Sequence, residues 1–449
     1  MPPVVEKRLR PETFWDLAVE VALIRPGPIQ GGSVHPYLRR RRGEPWRHEH
    51  PLLADALDRT LGVPLFQEQV MRVAIDVAGF TPGEADELRR AMGSKRASAK
   101  MDRLRERFYA GAARNGVTGE LADRIFGQVK AFSGYGFPMS HSLAFAHLVF
   151  TSAWLKLYYP SAFCAALLRA QPMGFYTPQS LVADARRHGV RILRAGVNTA
   201  LAHATLNPHP DSRGGQAVRL GLAAIRDLGD AAADRIVTAR QADGPYHGLG
   251  ELARRADLST AHLEALASAG AVDELTGDRR TGLWQAGAAA RERTPGTLPG
   301  TAAAGAPALP GMSQWELVAA DIRWTGITPD SHPVELLRAH LATLGAVPVD
   351  RLRHLPHGTR VLVAGAVTHR QQPPTAGGVV FLNLEDETGM LNVTVGPGLW
   401  RASRPYARDA GALLVRGMLD TASGPLGVLA DQLRLLDPRA AGTTARNFR

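Results

Sequence analysis

No Asp-x-Asp pair occurs anywhere in the 449 residues. Phoshoryl-transfer enzymes that use two Mg²⁺ ions hold them about 3.5–4 Å apart on clustered carboxylates. A chain without that cluster has no ready-made catalytic metal pair, so neither a catalytic nor a metal-ligating residue is assigned. Cysteine is almost absent. Cys164 stands alone, which excludes an internal disulfide framework and a cysteine-based zinc site. It lies in the apolar run 162–168 and reads as a buried structural thiol rather than a nucleophile. Lysine is scarce too: five occur, all before residue 157, against 48 arginines. No long apolar run survives. Glu12, Asp16 and Glu20 interrupt the early apolar residues, so no signal peptide is read. The most apolar stretch, 143–168, is broken by His147, Lys156 and Pro160 and fails as a membrane span. The expectation is a soluble, cytoplasmic protein with no membrane partner.

What is present describes a globular chain with 45% apolar and 21% charged residues, long enough for about two to four domains. The net charge of +11 favours a polyanionic partner. From about 11 to 170 the apolar spacing is helical, with helices expected at 52–61, 66–80, 82–92, 100–116, 120–132 and 142–158; one more helix is expected at 177–188, followed by a short strand at 190–193. Residues 213–290 read as a second helical block, 291–335 as a linker with a Pro/Gly/Ala/Thr-rich start, and 439–449 as a tail. Within 336–438 the period changes to two. Strands are expected at 359–372, 378–386, 389–396, 412–421 and 426–435, with a helix at 399–409. Five strands with a helix after the third is the order of an OB-fold barrel. The fold class is therefore multidomain: mainly α-helical, then a five-stranded OB-fold β-barrel.

Several clusters point toward phosphate and nucleic acid, each with a plainer alternative. Arg89-Arg90 follows Asp86-Glu87 on a helix and precedes Gly93, Lys95, Arg96 and Lys100; the pair is either a triphosphate ligand or two solvated arginines. Gly134-Tyr135-Gly136-Phe137 with Ser140-His141-Ser142 combines permissive backbone, an aromatic plate and hydroxyls. It suits a nucleoside site, with Tyr135, Ser140 and His141 as candidates, and equally a turn with a helix cap. The run Arg39-Arg40-Arg41-Arg42 either tracks a nucleic-acid backbone or is a solvated face. His48-Glu49-His50 reads as a solvent loop rather than a metal site. Ile225-Arg226-Asp227-Leu228-Gly229 followed by Ala233 and Ile236 reads as a helix-hairpin-helix, whose turn amides hold a DNA phosphate; 266–272, with Gly270, is the candidate second copy. A plain helical hairpin is the alternative. In the barrel, Val380, Leu382 and Leu384 should face inward and Phe381 and Asn383 outward, where Phe381 either stacks on a base or covers the barrel rim. Glu385-Asp386-Glu387 opens a turn and is not read as catalytic.

Taken together, Arg25-Pro26-Gly27-Pro28, Gln67-Glu68-Gln69-Val70-Met71, Leu88 to Gly93, and Gly134 to Phe137 with Ser140 to Ser142 resemble the C-terminal half of a bacterial C-family DNA polymerase, the DNA polymerase III alpha-subunit family. The stretches 26–37 and 381–389 are similar to its error-prone branch. The resemblance covers nearly the whole chain. It implies a polymerase fingers domain over 1–212, tandem helix-hairpin-helix over 213–290 and the OB-fold after the linker. It further implies that Arg89 and Arg90 contact the triphosphate of an incoming dNTP and that Tyr135, Ser140 and His141 help build its site; Arg39–Arg42, Gly229, Gly270, Phe381 and Asn383 remain the DNA-contact candidates read from the residues themselves. Primer-template DNA, dNTP and mutasome accessory proteins are the implied partners, and damage-induced translesion synthesis the implied role. Mg²⁺ is implied only together with a palm domain, whose three aspartates these residues do not include, so the chain alone is expected to be inactive. The alternative is a stand-alone, non-catalytic DNA-binding or scaffold protein. Asp227 departs from the hairpin pattern, which usually has glycine there.

Overall fold

The computed structural model describes residues 9–23, 34–92, 97–132, 137–173, 176–294, 305–421 and 426–436. They fall into two units, one reaching to Ala153 and one starting at Trp154.

In the first unit the central element is the helix Gln67–Ala78. Val70, Val73, Ala74 and Val77 recur at helical spacing and are buried, and Gly79 ends the helix in the left-handed conformation that a side chain disfavours. Helices Pro82–Met92, Ala97–Arg114 and Gly119–Phe132 pack around it through Phe80, Leu88, Phe108, Ile125 and Phe126. Arg107 fastens this bundle: its guanidinium donates to the Ala78 and Gly79 carbonyls and to Glu84 at 2.8 Å. The Thr81 amide and then Arg107 pull the Glu84 carboxyl down to about 2. A smaller core gathers Val19, Leu23, Tyr37, Leu38, Leu65 and Phe66.

The second unit begins with helical segments that include Pro160–Arg169 and Pro178–Arg187. Cys164 is buried between them, and burial pushes its thiol up to about 12, as an inert structural thiol requires. A three-stranded sheet follows, with β1 (Ile192–Leu193), β2 (Thr205–Pro208) and β3 (Gln216–Arg219) in the order β1-β3-β2. This corrects the helical reading from residue 213. The four residues of β3 are too few to show a period, and they are ordered by pairing on both sides. Helices Gly229–Asp243, Leu249–Arg255, Thr260–Ser268 and Arg279–Arg291 then share one alanine- and leucine-rich core.

The stretch 291–335 is not linker throughout. Helix Gln314–Trp324 is started by Ser313 and Glu316 in a reciprocal cap. It is held by Asp321, which accepts two bonds from Arg194 (2.6 and 2.9 Å) and one from Arg279 (2.7 Å).

The barrel follows the period-two reading closely. Its strands are β4 (Arg360–Gln371), β5 (Val380–Glu385), β6 (Met390–Val395), β7 (Ala412–Asp420) and β8 (Gly427–Leu435), closed in the order β4-β5-β6-β8-β7 with helix Pro397–Ala407 between β6 and β7. This is an OB-fold. Val380, Leu382, Leu384, Leu391, Val393 and Val395 fill the interior.

Beside the barrel sits an unexpected hub. Asp386 is fully buried and accepts from the amides of Val349, Thr388 and Gly389, from the Thr388 hydroxyl, and from Arg338 at 3.0 Å. Glu387 takes the other face of Arg338 at 2.6 Å, and Glu385 pairs with Arg187 at 2.9 Å. Removing one partner of such a buried network costs about 3–5 kcal/mol, because the others are left without water or counter-charge. Asp386→Ala should therefore lower the stability of the second unit by that order in a urea titration. A loss below about 1 kcal/mol, the scale of a surface pair, would contradict the assignment.

Candidate nucleotide and nucleic-acid interface

The Gln67-Glu68-Gln69 segment assembles one part of the site from the inside. Gln69 is buried; its carbonyl accepts from the Leu65 and Phe66 amides, and its amide donates to the Ala56 carbonyl and to Thr60. The Gln67 amide donates to the Phe137 carbonyl at 3.0 Å, and the Glu68 carboxylate accepts from the Met139 amide at 2.9 Å. Glu68 thus caps the twenty-residue helix Met139–Tyr158. Ser142 is buried and donates to the Ala18 carbonyl, which turns its neighbours outward. Ser140 and His141 are exposed, and the His141 ring packs between Phe137 and Phe145. Tyr135, together with 24–33, 93–96 and 133–136, lies outside the described residues.

Arg89 and Arg90 lie at the end of helix Pro82–Met92, which packs on Gln67–Ala78. Adjacent helical residues point about 100° apart, yet one carboxylate gathers both. Asp86 bonds Arg89 through Oδ1 and Arg90 through Oδ2, each at 2.8 Å. Arg89 first, then burial in opposition, set its carboxyl below the usual range. The guanidiniums keep 42% and 69% of their side-chain surface in water, so an incoming phosphate can reach them. Asp86, noted in the sequence only as a neighbour, stands three and four residues before the two arginines, the spacing that lets one carboxylate reach both. Glu68 gave no such signal, because its partner lies 71 residues away.

The arginine run divides. Arg41 pairs with buried Asp16 at 2.7 Å and donates to the Leu9 carbonyl. Arg40 donates to the Leu61 carbonyl at 2.6 Å and lies over Trp46. Both are half-buried and bonded within the fold. Arg39, paired with Glu44, and Arg42 are exposed. His48, Glu49 and His50 are likewise structural, bonded to Asp58, to Arg124 and to the Leu52 amide.

The hairpins also differ from each other. At the first, Asp227 adopts a left-handed φ of 65°, the backbone state a glycine would supply, so the turn forms without it. Gly229, exposed and also left-handed, opens the helix Gly229–Asp243, whose first amides have no side-chain cap. They are placed to meet a phosphate. Gly270, by contrast, is buried against Asp273 and Arg279, and its amide donates to the Ala267 carbonyl. On the barrel, Phe381 pairs across to Thr394 and Asn383 to Asn392 on the outer face. Phe381 is 41% exposed, so it does not close the interior; Asn383 is half-buried, and its Oδ1 has no hydrogen-bond partner among the described residues.

Helical fingers, a hairpin region and an OB-fold in this order define part of a DNA polymerase. Residues 4–116 match the finger domain of the bacterial DNA polymerase III alpha subunit, and residues 189–282 match the helix-hairpin-helix motif. The chain belongs to the C family of bacterial DNA polymerases and corresponds to its C-terminal part. It is 59% identical to the error-prone DNA polymerase of Nocardia farcinica over 98% of its own length and 39% of that protein's. Identity is 56% to the error-prone DNA polymerase of Mycobacterium tuberculosis, covering 98% of this chain and 40% of the relative. To that of Corynebacterium efficiens it is 57%, covering 96% and 39%. The chain thus spans about two fifths of these relatives.

Stacking on an exposed ring contributes about 1–3 kcal/mol per base. Phe381→Ala should therefore weaken single-stranded DNA binding by that amount in an anisotropy titration and leave the melting temperature unchanged. Lost stability with intact binding would make Phe381 a packing residue instead.

Proposed function

We propose that this chain is the nucleotide- and DNA-holding portion of an error-prone DNA polymerase, which adds dNTPs to a primer-template in damage-induced translesion synthesis. Arg89 and Arg90 grip the triphosphate, Ser140 and His141 line the nucleoside side with Tyr135, and Gly229, Arg39, Arg42, Phe381 and Asn383 hold DNA. The exposed arginine pair gathered by Asp86 carries this reading. A planar guanidinium binds phosphate oxygens in pairs, and the shared carboxylate holds both forks in place before the ligand arrives, which lowers the entropic cost of binding. Among the described residues no group of three or more His, Cys, Asp or Glu could hold a metal ion. On this reading Mg²⁺ would be supplied together with the palm carboxylates, and the residues named above bind and orient. Accessory proteins of a mutasome are the further partners the reading implies. Among the described residues no helix is long and apolar enough to cross a membrane.

Charge-assisted bonds to phosphate contribute about 1.5–3 kcal/mol each. The double change Arg89→Ala with Arg90→Ala should accordingly weaken binding of a fluorescent dATP analogue to the chain at least tenfold, and primer-template binding by much less. Equal losses would reassign the pair to the DNA backbone.

DNA affinity itself should fall linearly on a log–log plot as salt rises, since each phosphate contact releases counterions. An affinity that does not change with salt would refute the electrostatic reading.

A further inference from the structure

The second unit has a partly open cavity of about 430 Å³ where the barrel meets the helices Pro178–Arg187 and Gln314–Trp324. Its walls are largely apolar, with Trp315, Ile322 and Leu337 on the helical side and Ala366, Ala410 and Leu435 on the barrel side. Among the described residues no Lys or Arg lines it, whereas Glu385 and Asp409 do. With Glu385 paired to Arg187, no guanidinium is left among the lining residues to take a phosphate.

Two polar groups give the cavity direction. His332 is only 3% exposed, and its Nδ1 accepts from the Val334 amide at 3.2 Å. Burial holds this imidazole down to about 4, so it is neutral at pH 7 and carries its proton on Nε2. His332 lines this cavity and also the neighbouring one bordered by Arg186 and Arg187. Glu385 lines the same cavity, bonded through one oxygen to Arg187 at 2.9 Å and through the other to Ser180, itself in the lining, at 3.3 Å; each oxygen keeps a second lone pair.

We propose that this cavity binds a small planar heterocycle, neutral or cationic, which donates an N–H to Glu385 and accepts from Nε2–H of His332. Volume, apolar walls and a few converging polar groups at a junction between structural layers are the ordinary features of small-molecule sites. The absence of cations separates this site from the dNTP and DNA surfaces, and the proposal does not rest on the polymerase reading.

Benzimidazole is the probe, since it carries one N–H donor and one ring acceptor on a flat apolar frame. Calorimetry on the full 449-residue chain at pH 7 should give saturable, one-to-one binding in the millimolar range or tighter, with a raised melting temperature. Benzenesulfonate, similar in size but anionic, should not bind. His332→Phe keeps a ring and removes the donor, and should weaken benzimidazole about tenfold. Ala366→Phe and, separately, Ala410→Leu fill the cavity and should abolish binding, while circular dichroism and single-stranded DNA affinity stay as in the wild type. No binding to the wild type, equal binding of the sulfonate, or full affinity in a folded cavity-filling variant would each overturn the proposal.

Discussion

Buried carboxylates that cannot be left without a cation decide how the second unit is put together. Asp321 and Arg279 are both nearly water-free, and Asp386 is entirely so. Such charges are tolerated only when paired and hydrogen-bonded on every side, because the desolvation of each costs several kcal/mol. Asp321 therefore fixes its helix against Arg194 and Arg279, and Glu385-Asp386-Glu387 fixes the barrel against Arg187 and Arg338. The segment between hairpins and barrel becomes a joint of defined geometry. The cavity lined by Glu385 and His332 exists because this joint holds barrel and helices at that spacing.

The first unit uses a different device. Gln69 satisfies the amides that open its helix, Glu68 caps the helix beginning at Met139, and Arg107 closes the carbonyls at the end of the Gln67 helix. These are the orphan groups that any helix end must place. Of the family-like stretch Gln67 to Met71, Gln69 and Glu68 are the scaffold on which Ser140 and His141 are displayed. Arg89 and Arg90, one helix along, remain in water.

With 48 arginines and five lysines, most positive charges on this chain can form several directed bonds at once. Many do so internally: Arg40, Arg41, Arg107, Arg194, Arg255 and Arg279 all donate to backbone carbonyls or buried carboxylates. The net charge thus overstates the surface available to DNA. The exposed candidates are fewer, namely Arg39, Arg42, Arg89 and Arg90 beside the amides at Gly229.

Local patterns were legible without the structure. The period of two from residue 359 placed all five barrel strands to within about two residues and assigned inward and outward faces correctly, because a strand's alternation is written in consecutive residues. The major helices of the first unit followed from the spacing of their apolar residues for the same reason. Asp227 showed as a departure from glycine, and the structure adds that aspartate enters the same left-handed turn. Tertiary structure alone decided the rest. β2 and β3 are too short to carry a period, helix Gln314–Trp324 sits next to a linker-like composition, and the turn acids were read for their sequence neighbours rather than for Arg187 and Arg338. Arg40, Arg41 and Gly270 meet partners 32 or fewer residues away that no local pattern announced. A side chain's role as ligand or as scaffold depends on which groups reach it in space, and a one-dimensional pattern does not hold that distance.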